Sequence, residues 1–279
     1  MSLGKQSLKA QQFHQLHQRS STFVLPNAWD VISARVFEEC GFEAIGTTSA
    51  GISVSLGYTD GQNIPADKMI EVIKSIADSV NIPVTADIEA GYGKTIEEVL
   101  ETVRKVIDTG AVGINIEDGT GDHSQPLYDL FYQKERIAAI RELSNDTKDT
   151  SIFINARTDT YWFNIGDAST RLHETIKRAK AFEDAGADCI FVPGLHDPKI
   201  ISHLREEISS PINLLASPKM PSFAELASFG IKRLSCGSGP FRATVTLLKT
   251  ISEEITNQRS FRHMMDDVMP YSKVVDLMK

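Results

Sequence analysis

Asp108-Thr109-Gly110-Ala111-Val112-Gly113-Ile114 passes from the polar end of a helical pattern, through a glycine, into a short apolar run. Just before it, Thr95 and Glu98 are placed to form a capping box. Ile96, Val99, Leu100, Val103, Val106 and Ile107 then recur at helical spacing, which predicts a helix over 95–109 with one apolar stripe. The same junction returns as Glu39-Cys40-Gly41-Phe42-Glu43-Ala44-Ile45, as Asp184-Ala185-Gly186-Ala187-Asp188-Cys189-Ile190 and as Phe229-Gly230-Ile231-Lys232-Arg233-Leu234. Each glycine stands where a helix needs a left-handed cap, and each apolar run is short enough for a buried parallel strand.

Four more strand candidates fill the gaps: Thr22–Pro26, Ile82–Ala86, Ser151–Ala156 and Ile212–Ala216. Further helical patterns cover 30–40, 66–80, 133–144, 168–185, 198–208, 222–229 and 240–256. Eight strands alternating with eight helices predict an α/β chain folded as a (β/α)8 TIM barrel. A doubly wound sheet is the competing topology, and it lacks the Gly-x-Gly-x-x-Gly turn after its first strand. An extra N-terminal helix is expected over about 5–18, and a C-terminal helical extension over about 257–279. With no composition break or Gly/Ser linker, 1–279 reads as one domain. The extension carries Phe261, Met264, Met265, Val268, Met269, Tyr271, Val274, Val275 and Leu277, apolar residues that need cover from the barrel or a second subunit.

Composition narrows the function classes. Hydrophobic residues make up 41% and charged residues 24% of the 279, a globular balance. Asp plus Glu total 37 against 29 for Lys plus Arg, a net charge of −8 with no basic run. This argues against nucleic acid or a membrane surface as the main partner. No stretch approaches the ~20 apolar residues of a membrane span, and the polar opening residues lack a signal-peptide core. Three cysteines suggest no disulfide framework, so a reducing cytoplasm is expected.

Barrel enzymes carry their chemistry at the C-terminal ends of the strands. Those ends hold Asn27, Trp29 and Asp30, then Thr47 to Gly51, Asp87 and Glu89, Glu117 and Asp118, Asn155 to Asp159, Pro193-Gly194, Ser217 to Lys219, and Cys236 to Ser238. Asp87, Glu89 and Glu117 form the sharpest signal. Asp87 and Glu89 flank Ile88, and alternation would send both to one side. Converging carboxylates repel unless a cation joins them, and an all-oxygen set suits Mg²⁺ or Mn²⁺. Taken singly, each acid is as readily a helix cap or the partner of a Lys or Arg. Arg157 offers a fork for a substrate carboxylate, or a structural ion pair with Glu117 or Asp159, and both roles can hold at once. Ser49-Ala50-Gly51 is a small-residue turn whose N–H groups suit an anion. The Gly57–Gly61 loop carries Asp60 and reads equally as a lid or a solvated turn. His123 and His196 lie in loops without a partner at recognisable spacing. Ser238 reads as a helix N-cap, Cys189 and Cys236 as packing residues, and Lys219 as a weak Schiff-base candidate.

At these same positions the sequence resembles the isocitrate lyase/phosphoenolpyruvate mutase superfamily. The likeness is carried by Thr85-Ala86-Asp87-Ile88-Glu89-Ala90-Gly91-Tyr92-Gly93, Asn115-Ile116-Glu117-Asp118, Asn155-Ala156-Arg157-Thr158-Asp159, Pro26-Asn27-Ala28-Trp29-Asp30 and Gly57-Tyr58-Thr59-Asp60. It spans about residues 10–255 and implies a barrel that binds Mg²⁺ or Mn²⁺ and cleaves or forms C–C or P–C bonds beside a 2-oxo acid. It also implies an eighth helix exchanged between subunits, hence a homo-oligomer such as a dimer of dimers. By that likeness Asp87 is the direct metal ligand, with Glu89 and Glu117 holding metal-bound waters. Ser49, Ala50 and Gly51 grip the substrate carboxylate with Arg157, Trp29 and Asn213 as further substrate contacts, and Asp60 sits on a gating loop. One departure matters. Isocitrate and methylisocitrate lyases carry a Lys-Lys/Arg-Cys-Gly-His segment after the fourth strand, whereas Glu117 to Tyr128 here has neither Cys nor Lys. The mutases' Lys and Asn are missing too. His123 or Asp122, in this loop, is the candidate proton source. The expectation is a metal-dependent lyase acting on a small 2-oxo or 2-hydroxy carboxylate through a pyruvate-type enolate. The rivals are a phosphonomutase or phosphonopyruvate hydrolase, and a 2-oxo acid binding protein without turnover.

Overall fold

The computed structural model describes residues 3–146 and 152–279. Helix α1 (Leu3–Gln18) leads into strands β1 (Phe23–Leu25) and β2 (Asn27–Ala28). There follow α2 (Val31–Glu39), β3 (Ile45–Thr47), α3 (Ser49–Ser55), α4 (Ala66–Ser79), β4 (Val84–Asp87), α5 (Ile96–Asp108), β5 (Gly113–Glu117) and α6 (Leu130–Asp146). After these come β6 (Phe153–Arg157), α7 (Ala168–Asp184), β7 (Cys189–Phe191), α8 (Pro198–Glu207), β8 (Ile212–Leu215), α9 (Phe223–Ser228) and β9 (Arg233–Ser235). Helices α10 (Gly239–Gln258), α11 (Arg262–Met265) and α12 (Tyr271–Asp276) complete the chain. Ser151, the first residue of the predicted fifth strand, lies outside the described residues.

The nine strands run parallel in the order β1-β9-β8-β7-β6-β5-β4-β3-β2. Only Pro26 separates β1 from β2. It has no N–H to give the ladder, but its carbonyl accepts from Gly46 N at 2.9 Å. The two pieces are therefore one barrel strand interrupted at a proline, paired with β9 on one flank and β3 on the other, and the sheet closes as a (β/α)8 barrel.

The predicted helix over 95–109 is α5. Glu98 N donates to Thr95 Oγ1 at 3.3 Å and Thr95 N donates to Glu98 Oε2 at 3.1 Å, so both halves of the capping box form. Val99, Val103 and Val106 of its stripe are buried against the sheet. The junction glycines Gly41, Gly110, Gly186 and Gly230 take φ of +85°, +91°, +95° and +77°, the left-handed caps their position demanded. Ser49-Ala50-Gly51 departs from expectation: it is the first turn of α3 rather than a bare turn. Its run of small residues shows no apolar period, so nothing in the pattern announced a helix. Thr48 caps it, accepting from Gly51 N at 3.3 Å. A Cβ on Gly51 would stand 2.7 Å from Thr48 Cγ2 and 3.0 Å from Trp29 Cβ, so close packing requires glycine there.

Helix α1 plugs the N-terminal end of the barrel. Ala10, Phe13 and Leu16 pack with Leu25, Ala44, Val112, Phe153 and Cys189, and the Phe13 and Phe153 rings meet edge to face at 5.0 Å. Gln6 and Lys9 fasten the helix by donating to the carbonyls of Ile107, Ala111 and Val80. Phe13→Ala therefore costs about 3–5 kcal/mol in urea unfolding, the cost of emptying a packed aromatic site. Were α1 a loose appendage, the loss would stay within roughly 0.5 kcal/mol.

The C-terminal helices behave differently. The start of α10 meets the barrel mouth where Phe241 packs on Trp29 with ring centres 5.5 Å apart. Further along, Val245, Leu247 and Leu248 are exposed, as are Phe261, Met265, Val268, Met269, Tyr271 and Val275 beyond it. Glu254 is the buried side chain of α10, and it binds the backbone N–H groups of Arg262 and His263 to fix the corner into α11.

Candidate active site

A cavity of about 140 Å³ opens at the C-terminal mouth of the barrel. Its wall includes Ser49, Ala50, Asp60, Asp87, Asn115, Arg157, Trp162, Phe191, Arg233 and Ser238. Asp87 is the final residue of β4 and projects into it. Its Oδ2 accepts from Ser49 N at 3.1 Å and Ser49 Oγ at 2.8 Å. Its Oδ1 accepts from Asn115 Nδ2 at 2.9 Å. Asn115 is Asp87's register partner on β5 and itself accepts from Asn155 Nδ2 at 2.9 Å. Donors from α3 and β5 thus hold this carboxylate in one orientation, with Asn155 of β6 steadying Asn115.

Glu89 does not follow strand alternation, because β4 ends at Asp87 and Glu89 turns left-handed with φ +49°. Its carboxylate leaves the wall and accepts from Tyr92 Oη and Gln62 N, both at 2.6 Å. Gln62 Oε1 accepts from Tyr92 N at 2.7 Å, so the loop carrying Asp60 is latched to the turn after β4. Burial pushes the Glu89 carboxyl up to about 7, against the pull of the Tyr92 hydroxyl and aided by Asp87 and Asp60.

Glu117 and Arg157 are register partners at the ends of β5 and β6. Arg157 Nη1 lies 2.8 Å from Glu117 Oε2 and its Nε donates to Asp159 Oδ1 at 2.7 Å. Both ion pairs weighed from the sequence exist. The rings of Trp162 and Phe191 flank the guanidinium at 5.9 and 5.8 Å. Asp159 is fully buried, and its Oδ2 has no partner among the described residues. Its N–H donates to Asp118 Oδ1, and Asp118 pairs with Arg178 at 3.1 Å. Burial alone would lower Arg157, but Glu117 and Asp159 outweigh it and keep the fork charged. Burial raises Glu117 well above the usual carboxylate range.

Asp60 faces the cavity from the rim, and its carboxyl is raised by displaced water and by Asp87. Ser238 stands at the N-cap of α10 without a side-chain cap bond and lines the cavity. Other predicted residues lie elsewhere. His123 is on an exposed turn, beside an Asp122 whose carboxylate accepts from Ser124. Trp29 packs on Phe241 behind α3, and Asn213 is wholly buried beneath the wall. Cys189 is buried, Cys236 partly exposed and Cys40 exposed. The sequence reading missed Asn115, Arg233, Gln62 and Tyr92. Asn115 had a usable signal: it lies two residues before Glu117 in an otherwise apolar strand, on the same inward face.

Among the described residues, no three acid, His or Cys side chains converge closely enough to cage a metal ion directly. The donor set still fits a hard divalent cation that keeps most of its water. Glu117, Asp159, Asp87 and Asp60 all feel the Arg157 guanidinium, Glu89 feels Asp87 and Asp60, and Asp87 alone of the three predicted ligands lines the cavity. One direct carboxylate with outer acids reached through water is how Mg²⁺ is commonly held.

The phosphoenolpyruvate phosphomutase family model matches residues 13–256. The chain belongs to this family. It is 38% identical over 231 residues to an uncharacterised protein of Mycobacterium tuberculosis, covering 83% of each chain. A crystal structure of a candidate lyase/mutase from Burkholderia cenocepacia J2315 superposes with a TM-score of 0.90 at 33% identity, covering 98% of this chain and 96% of that one. An oxaloacetate decarboxylase of Pseudomonas entomophila is 28% identical over 262 residues, covering 92% and 86% of the two chains. Family membership agrees with the superfamily likeness drawn from the strand-end motifs. Among the described residues, no helix is long and apolar enough to cross a membrane.

Proposed function

We propose that this member of the family is a Mg²⁺- or Mn²⁺-dependent lyase cleaving a C–C bond in a small 2-oxo or 2-hydroxy carboxylate. Oxaloacetate or a methylisocitrate-like acid is the substrate class, and a pyruvate-type enolate the intermediate. The observation that carries the reading is Asp87, a carboxylate held by Ser49 and Asn115 on the wall of a small polar cavity. The likeness to an oxaloacetate decarboxylase over 92% of this chain supports the choice of substrate.

Each group has work to do. Ala50 N–H, in the first turn of α3, takes no partner among the described residues and suits one substrate carboxylate. Arg157, which also lines the cavity, is held by Nη1 and Nε, so Nη2 is the nitrogen left for a substrate oxygen. In decarboxylation of oxaloacetate the C3–C4 pair flows to the C2 oxygen as carbon dioxide leaves, and a proton then returns to C3. A divalent cation, when bound, supplies Lewis-acid charge for the developing enolate oxygen. Asp87 fixes where that charge sits, Arg157 adds a preorganised positive charge, and the buried Phe191 ring shields one side of it from water. In this reading Asp60, which lines the cavity at its rim, moves the proton.

Asp60 on the wall also supports the second reading, phosphonomutase or phosphonopyruvate hydrolase. The exposed apolar rows of α10 to α12 support a homo-oligomer in which a second copy covers them, and an acidic composition with only three cysteines supports a cytoplasmic setting. The test is a panel of oxaloacetate, methylisocitrate, substituted malates and phosphonopyruvate, run with and without EDTA. Release of pyruvate, succinate or another C–C cleavage product is expected, abolished by EDTA and restored by Mg²⁺. Turnover of phosphonopyruvate alone, seen by phosphorus NMR, gives the site to P–C chemistry. Tight oxalate binding with no turnover of any panel member makes the protein a binder and overturns the lyase.

A further inference from the structure

Below the wall that carries Asp87, the barrel interior is polar where such barrels are ordinarily packed with branched apolar side chains. Arg233 opens β9, in register with Asn213 on β8, and lines the cavity while only 2% exposed. Its Nε donates to Ser235 Oγ at 3.0 Å, and Ser235 Oγ donates to Asn213 Oδ1 at 3.1 Å. One hydroxyl therefore ties the two side chains together. Two of their remaining donors are buried and unanswered: Arg233 Nη1 and Asn213 Nδ2 have no hydrogen-bond partner among the described residues. Beneath them lies the plug, with the Phe13 ring 6.0 Å from the guanidinium carbon. The neighbouring His17 is pushed down to about 3 by burial and by the charge of Arg233, so it stays neutral and puts no second positive charge beside the guanidinium.

A buried guanidinium with no ion pair is costly, and removing such a charge in favour of an apolar side chain is often stabilising. Burial pushes Arg233 down to about 10, although Cys189 and Asp87 pull the other way. A water molecule satisfies an orphaned amide, but it does not neutralise a charge. The open direction is the cavity itself.

We propose that Arg233, steadied by Ser235 and Asn213, is an anion seat in the cavity floor that takes a second carboxylate of the bound acid, apart from the one held at α3. The inference rests on the reading that this cavity binds small organic acids, and it narrows the class to dicarboxylates. Donors then stand at two places in the cavity, so a diacid satisfies both and a monoacid leaves the floor charge unanswered.

Isothermal titration with malonate and with pyruvate, each in the presence of Mg²⁺, tests the seat. Wild type should bind malonate at least tenfold more tightly than pyruvate. Arg233→Met should abolish that preference while leaving pyruvate affinity within threefold. Without ligand, its melting temperature should equal or exceed that of wild type, whereas loss of a structural arginine would lower it. Arg233→Lys retains the charge without the fork and should keep part of the preference. This holds the test open if the methionine variant fails to fold. An unchanged malonate preference in either variant overturns the seat, as does a wild type that binds malonate no better than pyruvate. Inorganic phosphate that competes more strongly than malonate assigns the floor to a phosphoryl group and overturns the carboxylate assignment. Turnover is scored on wild type alone: diacid preference without turnover sinks the lyase reading and leaves the seat standing.

Discussion

Asp87→Asn lowers kcat/KM on the working substrate by at least about 10³-fold, the scale of losing a charged group on which transition-state stabilisation depends. The fold survives the change. The substitution keeps the side-chain volume and one carbonyl oxygen for Asn115 to donate to. It turns an amide N–H toward Ser49, whose N–H then loses its acceptor at a cost of roughly 1–3 kcal/mol. Against that loss, one negative charge leaves a neighbourhood where Glu89, Asp60 and Glu117 all feel Asp87 as a repulsive neighbour. The two effects oppose, so thermal stability moves little while activity collapses. Titration with Mg²⁺ separates the causes: the variant should lose most of the wild-type affinity for the ion. Wild-type turnover together with wild-type Mg²⁺ binding would remove Asp87 from the mechanism and take the lyase reading with it.

How far this site was legible from sequence depended on the kind of information each residue carried. Helix–glycine–strand junctions repeat because every unit of a parallel barrel solves the same problem, so Gly110 and Gly186 were visible by position alone. Asp87 and Arg157 were legible because a barrel puts its strand ends on one rim. The misreadings share a cause. Alternation assigned Glu89 to the wall, but alternation holds only while the backbone is extended, and Glu89 lies past the end of β4 in a left-handed turn. Residues 49–55 hid a helix because Ser, Ala and Gly form no apolar stripe, and what stabilises α3 is a Thr48 cap and contact with Trp29. Arg233 was passed over because a single charge in an apolar run has no partner at recognisable spacing. Its partners lie on β8, β9 and α1, brought together only by barrel closure.

Arg157→Met is expected to cost about 3–5 kcal/mol in stability, because it strands two acids rather than one. Asp159 is wholly buried and the Glu117 side chain is 17% exposed, and the lost fork held Nη1 on one and Nε on the other. The alternative, that Arg157 serves only the substrate, predicts lost turnover with unchanged stability. A double substitution decides between them. Arg157→Met with Glu117→Gln removes one stranded charge and should recover a kilocalorie or more of the deficit, on the order of the coupling seen between residues in contact. It should recover no activity. Arg157→Lys gives the complementary case: a charge remains for the acids, so much of the stability returns. The planar two-point fork does not, so kcat/KM should stay at least about 10²-fold down. If Arg157→Met unfolds at the same urea concentration as wild type, the cross-strand ion pairs are ornamental and the guanidinium belongs to the substrate alone. If Arg157→Lys restores full turnover, a point charge suffices and the fork has no geometric part in holding the reacting acid.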